Sequence, residues 1–225
     1  IRTGKPIVYT SGDSVFQIAA HEEIIPIDRL YELCHISREI LTGKHSVGRV
    51  IARPFLGKNA ADFQRTSRRH DYPRLPESDT MLVKLIKAGY KVYATGKIDD
   101  LFGNQGISFT NHTTNNLDST LATIAYMKED FKGLLFANLI EFDQIYGHRN
   151  DARGYASALE TFDSFLPEIE QNLRPTDIVM VVADHGVDPT TASTDHSREY
   201  SPLLVFGVPV KPNTDLATRS SFADV

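Results

Sequence analysis

The stretch VVADHGVDPTTASTDHSREYSPLLVF, residues 181–206, holds two Asp-His pairs, Asp184-His185 and Asp195-His196, between two apolar runs. The first run, Ile178-Val179-Met180-Val181-Val182, is short, rich in β-branched residues and bounded by polar ones, so it reads as a buried strand. Leu203 to Phe206 reads as another. A strand that delivers Asp184 and His185 at its carboxyl end sets the fold expectation. Open α/β sheets place their ligand sites at such ends, so the chain is expected to be α/β with its chemistry there.

The same pattern recurs outward. Leu134 to Leu139 reads as a strand that delivers Glu141, Phe142 and Asp143, and His148 follows five positions later. Further strands are expected at Ile7 to Tyr9, Val47 to Ala52 and Lys91 to Ala94. Helices are expected at Ser14 to Glu23, Ile27 to Leu41, Thr80 to Ala88, Leu117 to Asp130 and Tyr155 to Leu173. Ser11 or Asp13 would cap the first of these, and Gly43 and Gly89 close the next two. Residues 53–76 break the alternation: Arg53, Arg65, Arg68, Arg69 and Arg74 stand among three prolines without periodicity, which reads as a guanidinium-rich loop. The domain division is therefore placed at Pro76, with residues 1–76 and 77–225 as the two parts.

At 225 residues and 41% hydrophobic content, the chain is long enough to bury one large core or two modest ones. A formal charge of -5 offers no basic surface for nucleic acid or an anionic membrane, so neither partner is expected. The single cysteine, Cys34, has no internal disulfide partner, which favours a reducing compartment, the cytoplasm. No apolar run has the length of a membrane span. Ile1 is not a natural start residue, so a piece of a longer chain is expected. Oligomeric state is not readable from these features.

Carboxylate oxygen and imidazole nitrogen together suit a divalent metal such as manganese, zinc or iron. An isolated Asp-His dipeptide is more often a cap or a hydrogen-bonded pair, but three couples at strand ends favour ligands. Asp143, His148, Asp184, His185 and His196 exceed the needs of one tetrahedral site, and two ions a few ångströms apart would use them. Such pairs recur in phosphoryl transfer because both the entering and the leaving oxygen are charge-stabilised. Asp195 is expected behind His196, accepting its other ring N–H.

The order Asp-x4-His, Ala-Asp-His-Gly, Thr-Asp-His resembles the metal-binding pattern of the alkaline phosphatase superfamily. Within it the chain is similar to the phosphopentomutase family in several words: Asn138-Leu139-Ile140-Glu141-Phe142-Asp143 with Tyr146-Gly147-His148-Arg149, Asp184-His185-Gly186-Val187-Asp188-Pro189-Thr190, and Thr194-Asp195-His196-Ser197-Arg198-Glu199-Tyr200. Gly4 to Ser11, Asp13 to Glu22, Ala52-Arg53-Pro54-Phe55, Arg65-Thr66, Arg69 to Tyr72 and Gly96-Lys97-Ile98 extend the likeness over nearly the whole chain.

The resemblance implies a partial alkaline-phosphatase-like core over residues 77–225, a mostly parallel sheet with helices on both faces. It implies a partial α/β cap over residues 1–76 that covers the substrate. The implied reaction interconverts (deoxy)ribose 1-phosphate and (deoxy)ribose 5-phosphate through a phosphothreonine, with two Mn2+ ions and a sugar bisphosphate activator. By position, Asp143, His148 and His196 would hold one ion, and Asp184 and His185 the other. The remaining aspartate and the threonine nucleophile belong to the family's N-terminal segment, which no residue here matches. This chain alone is therefore expected to be inactive. The alternatives are another phosphomutase or phosphohydrolase of the superfamily, or a non-catalytic metal- or sugar-phosphate-binding fragment.

A phosphosugar needs guanidinium or ammonium donors for phosphate and acceptors for hydroxyls. Arg53, Arg65, Arg69 and Lys97 fit the first need, and Ser11 and Asp13 the second, although Asp13 before a helix is more often a cap and surface arginines are usually solvated. His21, His35, His45, His70 and His112 lack a strand-end carboxylate context and read as structural. Val187, Ser193, Ser197 and Gly12 depart from the family's usual residues without touching a proposed ligand.

Overall fold

The computed structural model describes residues 1–11 and 14–225, which form two compact units. The first comprises residues 1–112 and 132–136, and the second residues 113–131 and 137–225.

In the first unit, β1 (Ile7–Ser11), β2 (Val15–His21), β3 (Arg49–Leu56), β4 (Gln64–Arg65) and β5 (His70–Pro73) form one sheet. β1 and β2 run antiparallel, β2 and β3 parallel, and β3 pairs antiparallel with both β4 and β5. Parallel register sets Phe16 beside Val50 and Ile18 beside Ala52, so their side chains share a face. Across that face lies α1 (Ile27–Ile40), whose Leu30 and Cys34, one helical turn apart, are buried against Ile18, Ala20, Val50 and Ala52. Pro26 precedes the helix, where its missing N–H costs nothing. Arg38 closes it by donating to the carbonyls of Val47, at 2.7 Å, and Leu41.

Two expectations fail here. Residues 14–23 are not a helix: Val15–His21 form β2, because Val15, Phe16 and Ile18 are β-branched or aromatic and the segment finds neighbours on both edges. Nor are residues 53–76 one loop. Arg53 lies within β3, Arg65 in β4, and Arg69 directly before β5.

The same unit holds a second sheet, in the order β7 (Phe109–Asn111), β6 (Lys91–Thr95), β8 (Gly133–Ala137). Val92 and Ala94 of β6 bury against Leu82 of α2 (Met81–Lys87) and Ile98 of α3 (Ile98–Leu101), with Leu134 and Phe136 of β8 packed on the cluster. α2, α3 and β6 belong to the same compact unit as β1 to β5.

The second unit has α4 (Asn116–Met127), α5 (Ala152–Gln171), β9 (Val179–Val182) and β10 (Leu203–Phe206). Asn115 caps α4 by accepting the Asp118 N–H at 2.7 Å, and Asp151 caps α5 by accepting the Gly154 N–H at 2.9 Å. β9 and β10 pair antiparallel, Val182 beside Leu203, so both ends of the connection 183–202 leave from one end of the ribbon. The chain is thus α/β, with parallel pairing at β2–β3 and β6–β7 and antiparallel pairing where the quoted stretch begins and ends. Among the described residues no helix is long and apolar enough to cross a membrane.

Candidate metal centre

Asp143 and His148 sit just beyond β8, on a π-helical turn, Phe142–Tyr146, that tightens into a single turn, Gly147–Arg149. The turn ends at Asn150, which takes the left-handed conformation open to asparagine (φ 53°). Irregular turns of this kind are frequent at functional sites. Glu141 fastens the segment to α4: its carboxylate accepts the Asn116 N–H at 2.7 Å, and its own N–H donates to Asn116 Oδ1 at 2.9 Å. His185 and His196 come from the two limbs of the 183–202 connection. Gly186 and Ser197 form an antiparallel bridge there, with Ser197 N–H donating to Gly186 O at 3.0 Å. The bridge stacks the two imidazoles with ring centroids 3.6 Å apart, and His148 also stacks on His196, at 5.0 Å.

These pieces meet at Asp143 Oδ1. His148 Nε2 lies 3.2 Å from it, His196 Nε2 3.3 Å and His185 Nε2 3.9 Å. The ligating atoms of Asp143, His148 and His196 all lie within 4.8 Å of one another. His148 Nδ1 is 2.5 Å from the Thr194 carbonyl, which can only accept, so Nδ1 carries a proton, and in the neutral ring Nε2 turns its lone pair to Asp143. His185 Nδ1 faces the Gly186 carbonyl at 3.2 Å in the same sense. Among the described residues, Asp143 Oδ1 is buried and has no hydrogen-bond partner. An acceptor oxygen facing imidazole lone pairs is unfavourable by itself and favourable around a cation. The Nδ1–H to carbonyl contacts are the usual support behind metal-bound histidines. The donor set therefore fits a divalent ion.

Asp184 is less constrained: its side chain is 80% exposed and, among the described residues, stands 3.6 Å from the neighbouring His185 Nε2. Asp195 is exposed, and its N–H donates to Ser193 Oγ at 3.1 Å. The acceptors seen behind site imidazoles are the Thr194 carbonyl on His148 and the Gly186 carbonyl on His185, backbone groups that side-chain spacing could not reveal. Tyr155 of α5 was also not singled out. Its phenol is pushed up by burial and then by the Asp143 carboxylate, and Phe142 packs on its ring at 5.2 Å.

The phosphate and hydroxyl candidates lie in the first unit. Arg53, on β3, donates from Nε to Gln17 Oε1 of β2 at 2.9 Å; burial lowers its pKa first, and Arg69 and Arg65 lower it further. Lys97 is lowered by burial and then by Arg69. These cations therefore share one field, tempered by Asp71, which takes both Arg69 Nε at 2.7 Å and its terminal nitrogen at 2.6 Å. Ser11 ends β1, with its side chain outside the described residues, as is the whole of Asp13. His112, read as structural, pairs through Nδ1 with Asp99 Oδ1 at 3.0 Å, and its Nε2 stands 3.9 Å from Asp100 Oδ2. These three residues form a second candidate metal group, but Asp99 already accepts both this ring contact and the Asp100 N–H.

A family model described as the metalloenzyme superfamily matches residues 20–225. The chain belongs to that superfamily. Metalloenzymes of this group are the setting in which the convergence on Asp143 is to be understood. Among curated relatives, the phosphopentomutase of Herpetosiphon aurantiacus is 59% identical, and the match covers 100% of this chain and 58% of that protein. The phosphopentomutases of Acetivibrio thermocellus and Carboxydothermus hydrogenoformans are each 56% identical over all of this metalloenzyme chain and 58% of their own length. The chain thus spans somewhat more than half the length of the curated relatives it matches.

Proposed function

We propose that this chain is the metal-bearing part of a phosphopentomutase, a mutase that moves phosphate between the 1- and 5-positions of ribose or deoxyribose. The observation that carries the reading is the convergence of His148, His196 and His185 on the orphaned Asp143 oxygen. It is supported by 59% identity to a protein of that name. Asp143, His148 and His196 would hold one Mn2+, and Asp184 and His185 part of the shell of a second. Bound there, the ions would supply charge stabilisation to the entering and leaving oxygens of phosphoryl transfer.

The chain's own residues have three tasks. The carbonyls of Thr194 and Gly186 keep the Nε2 lone pairs of His148 and His185 aimed inward. Arg53, Arg65, Arg69 and Lys97 would bind phosphate: Arg53 and Lys97, half withdrawn from water and crowded by the exposed Arg69, gain by taking an anion. Ser11 and Asp13 would accept from sugar hydroxyls. Residues 1–76 would then be the substrate-covering part and residues 77–225 the catalytic part. No residue of this chain is assigned as nucleophile. The reading puts a phosphorylated threonine, primed by a sugar bisphosphate, in the relatives' additional length, with this chain inactive by itself.

The test uses a full-length protein containing this chain. It should convert ribose 1-phosphate to ribose 5-phosphate, with dependence on Mn2+ and on a sugar bisphosphate, and His196→Ala should abolish turnover with the fold kept. Release of inorganic phosphate alone would replace the mutase reading with a phosphohydrolase.

A further inference from the structure

The turn bearing His148 and the strand end bearing His185 touch through a space that only glycine leaves. Gly147 is buried immediately before His148, and Val187 lies two residues after His185. A Cβ on Gly147 would stand 2.7 Å from Val187 Cγ2 and 3.3 Å from Cγ1, with the Phe142 carbonyl oxygen at 3.0 Å. Gly147 has φ -62° and ψ -63°, open to any residue, so what the position requires is room and not torsional freedom. Val187 is itself fixed from behind. Gly186 is bridged to Ser197, and a Cβ there would meet backbone oxygens of Glu199 at 2.5 Å and Ser197 at 2.9 Å. The valine methyls are therefore held at one depth by the bridge that also stacks His185 on His196.

We propose that Val187, seated against Gly147, is a positioning residue that sets the depth of the His148 turn against the His185–His196 pair. The hydrogen bonds from His148 Nδ1 to Thr194 O and from Asn150 Nδ2 to Thr191 O, at 3.0 Å, tie the same turn to the outer part of the connection. Those bonds fix its direction. The methyl contact beneath His148 fixes how close its Nε2 comes to the others. The inference rests on the reading of Asp143, His148, His185 and His196 as metal ligands.

The test is a double-mutant cycle in a full-length protein containing this chain, with histidine ring resonances recorded by NMR without metal and affinity measured by calorimetry with Zn2+. Gly147→Ala should shift the His148 and His196 ring signals and weaken Zn2+ binding about tenfold, the scale of second-layer substitutions at metal sites. Truncating the facing side chain should relieve the crowding, so Gly147→Ala with Val187→Ala should move back toward wild type in both readouts. A general loss of stability would not be reversed by that second truncation. Unchanged ring signals in Gly147→Ala, or a double variant as displaced as the single one, would overturn the proposal. If the wild-type protein bound no Zn2+, the metal reading would fail, while the ring signals would still decide whether Val187 positions His148.

Discussion

The strands of the two units differ in how they are covered. In the first, Val50 and Cys34 are fully buried and Leu30 is 1% exposed, with α1 laid across β2 and β3. In the second, Met180 and Leu204, apolar residues of β9 and β10, remain 49% and 61% exposed. Its buried apolar side chains among the described residues are Ile124, Ile140 and Ile169. Yet the metal-type donors are in this second unit, held by a backbone bridge, two carbonyl acceptors and a glycine contact. Ligand geometry here depends on local backbone ties more than on a hydrophobic core, whereas the first unit draws its stability from burial.

The largest expected effect tests the core. Leu30→Ala should cost the first unit about 2–5 kcal/mol, read as faster hydrogen exchange of β2 and β3 amides. Wild-type β9 and β10 amides should already exchange faster than those of β3, and equal protection would break the contrast. The next effect belongs to the metal. At about 100 times its dissociation constant, a divalent ion should raise stability by about 2.7 kcal/mol. Asp143→Asn should remove that gain without lowering metal-free stability, and an equal gain in the variant would show that the ion binds elsewhere.

A third prediction concerns pH. Burial pushes the Cys34 thiol up to about 12, against 9.0 for a free thiol. The folded state therefore keeps its proton while the unfolded chain loses it. The contribution is fully present below pH 9 and is lost as pH rises from 9 toward 12, at about 1.4 kcal/mol per pH unit. Cys34→Ala should flatten that part of the melting profile, and an unchanged slope would locate the alkaline instability in another group. The smallest effect is at the surface. Arg69→Ala breaks a two-point contact with Asp71 on a half-exposed side chain and should cost only about 0.2–1 kcal/mol, as thermal melts will show. A larger loss would mean that Arg69 is structural and not free to serve an anion.

Much of the candidate site was legible in the sequence. Asp143, Asp184 and His185 stand just beyond apolar runs and His148 one short turn after Asp143, and such spacing survives folding because strand ends and short turns are local, whereas His196 is reached only along the polar connection 183–202. The helix expected at residues 14–23 failed for the opposite reason. Its residues suit either state, and pairing with β1 and β3, remote in sequence from one another, settled the matter. The arginines were misplaced in the same way, since β4 and β5 exist only by pairing with β3.

Composition and local pattern thus determined the α/β class, the five ligand candidates and the unremarkable charge balance. Tertiary structure alone decided which of those ligands share an oxygen, which carbonyls orient them, and that a valine fills the space beside a glycine forty residues earlier in the chain. Spacing along a chain fixes which side chains a strand end presents. The distance between two such ends is set by packing and hydrogen bonds between segments remote in sequence, which neither segment encodes alone.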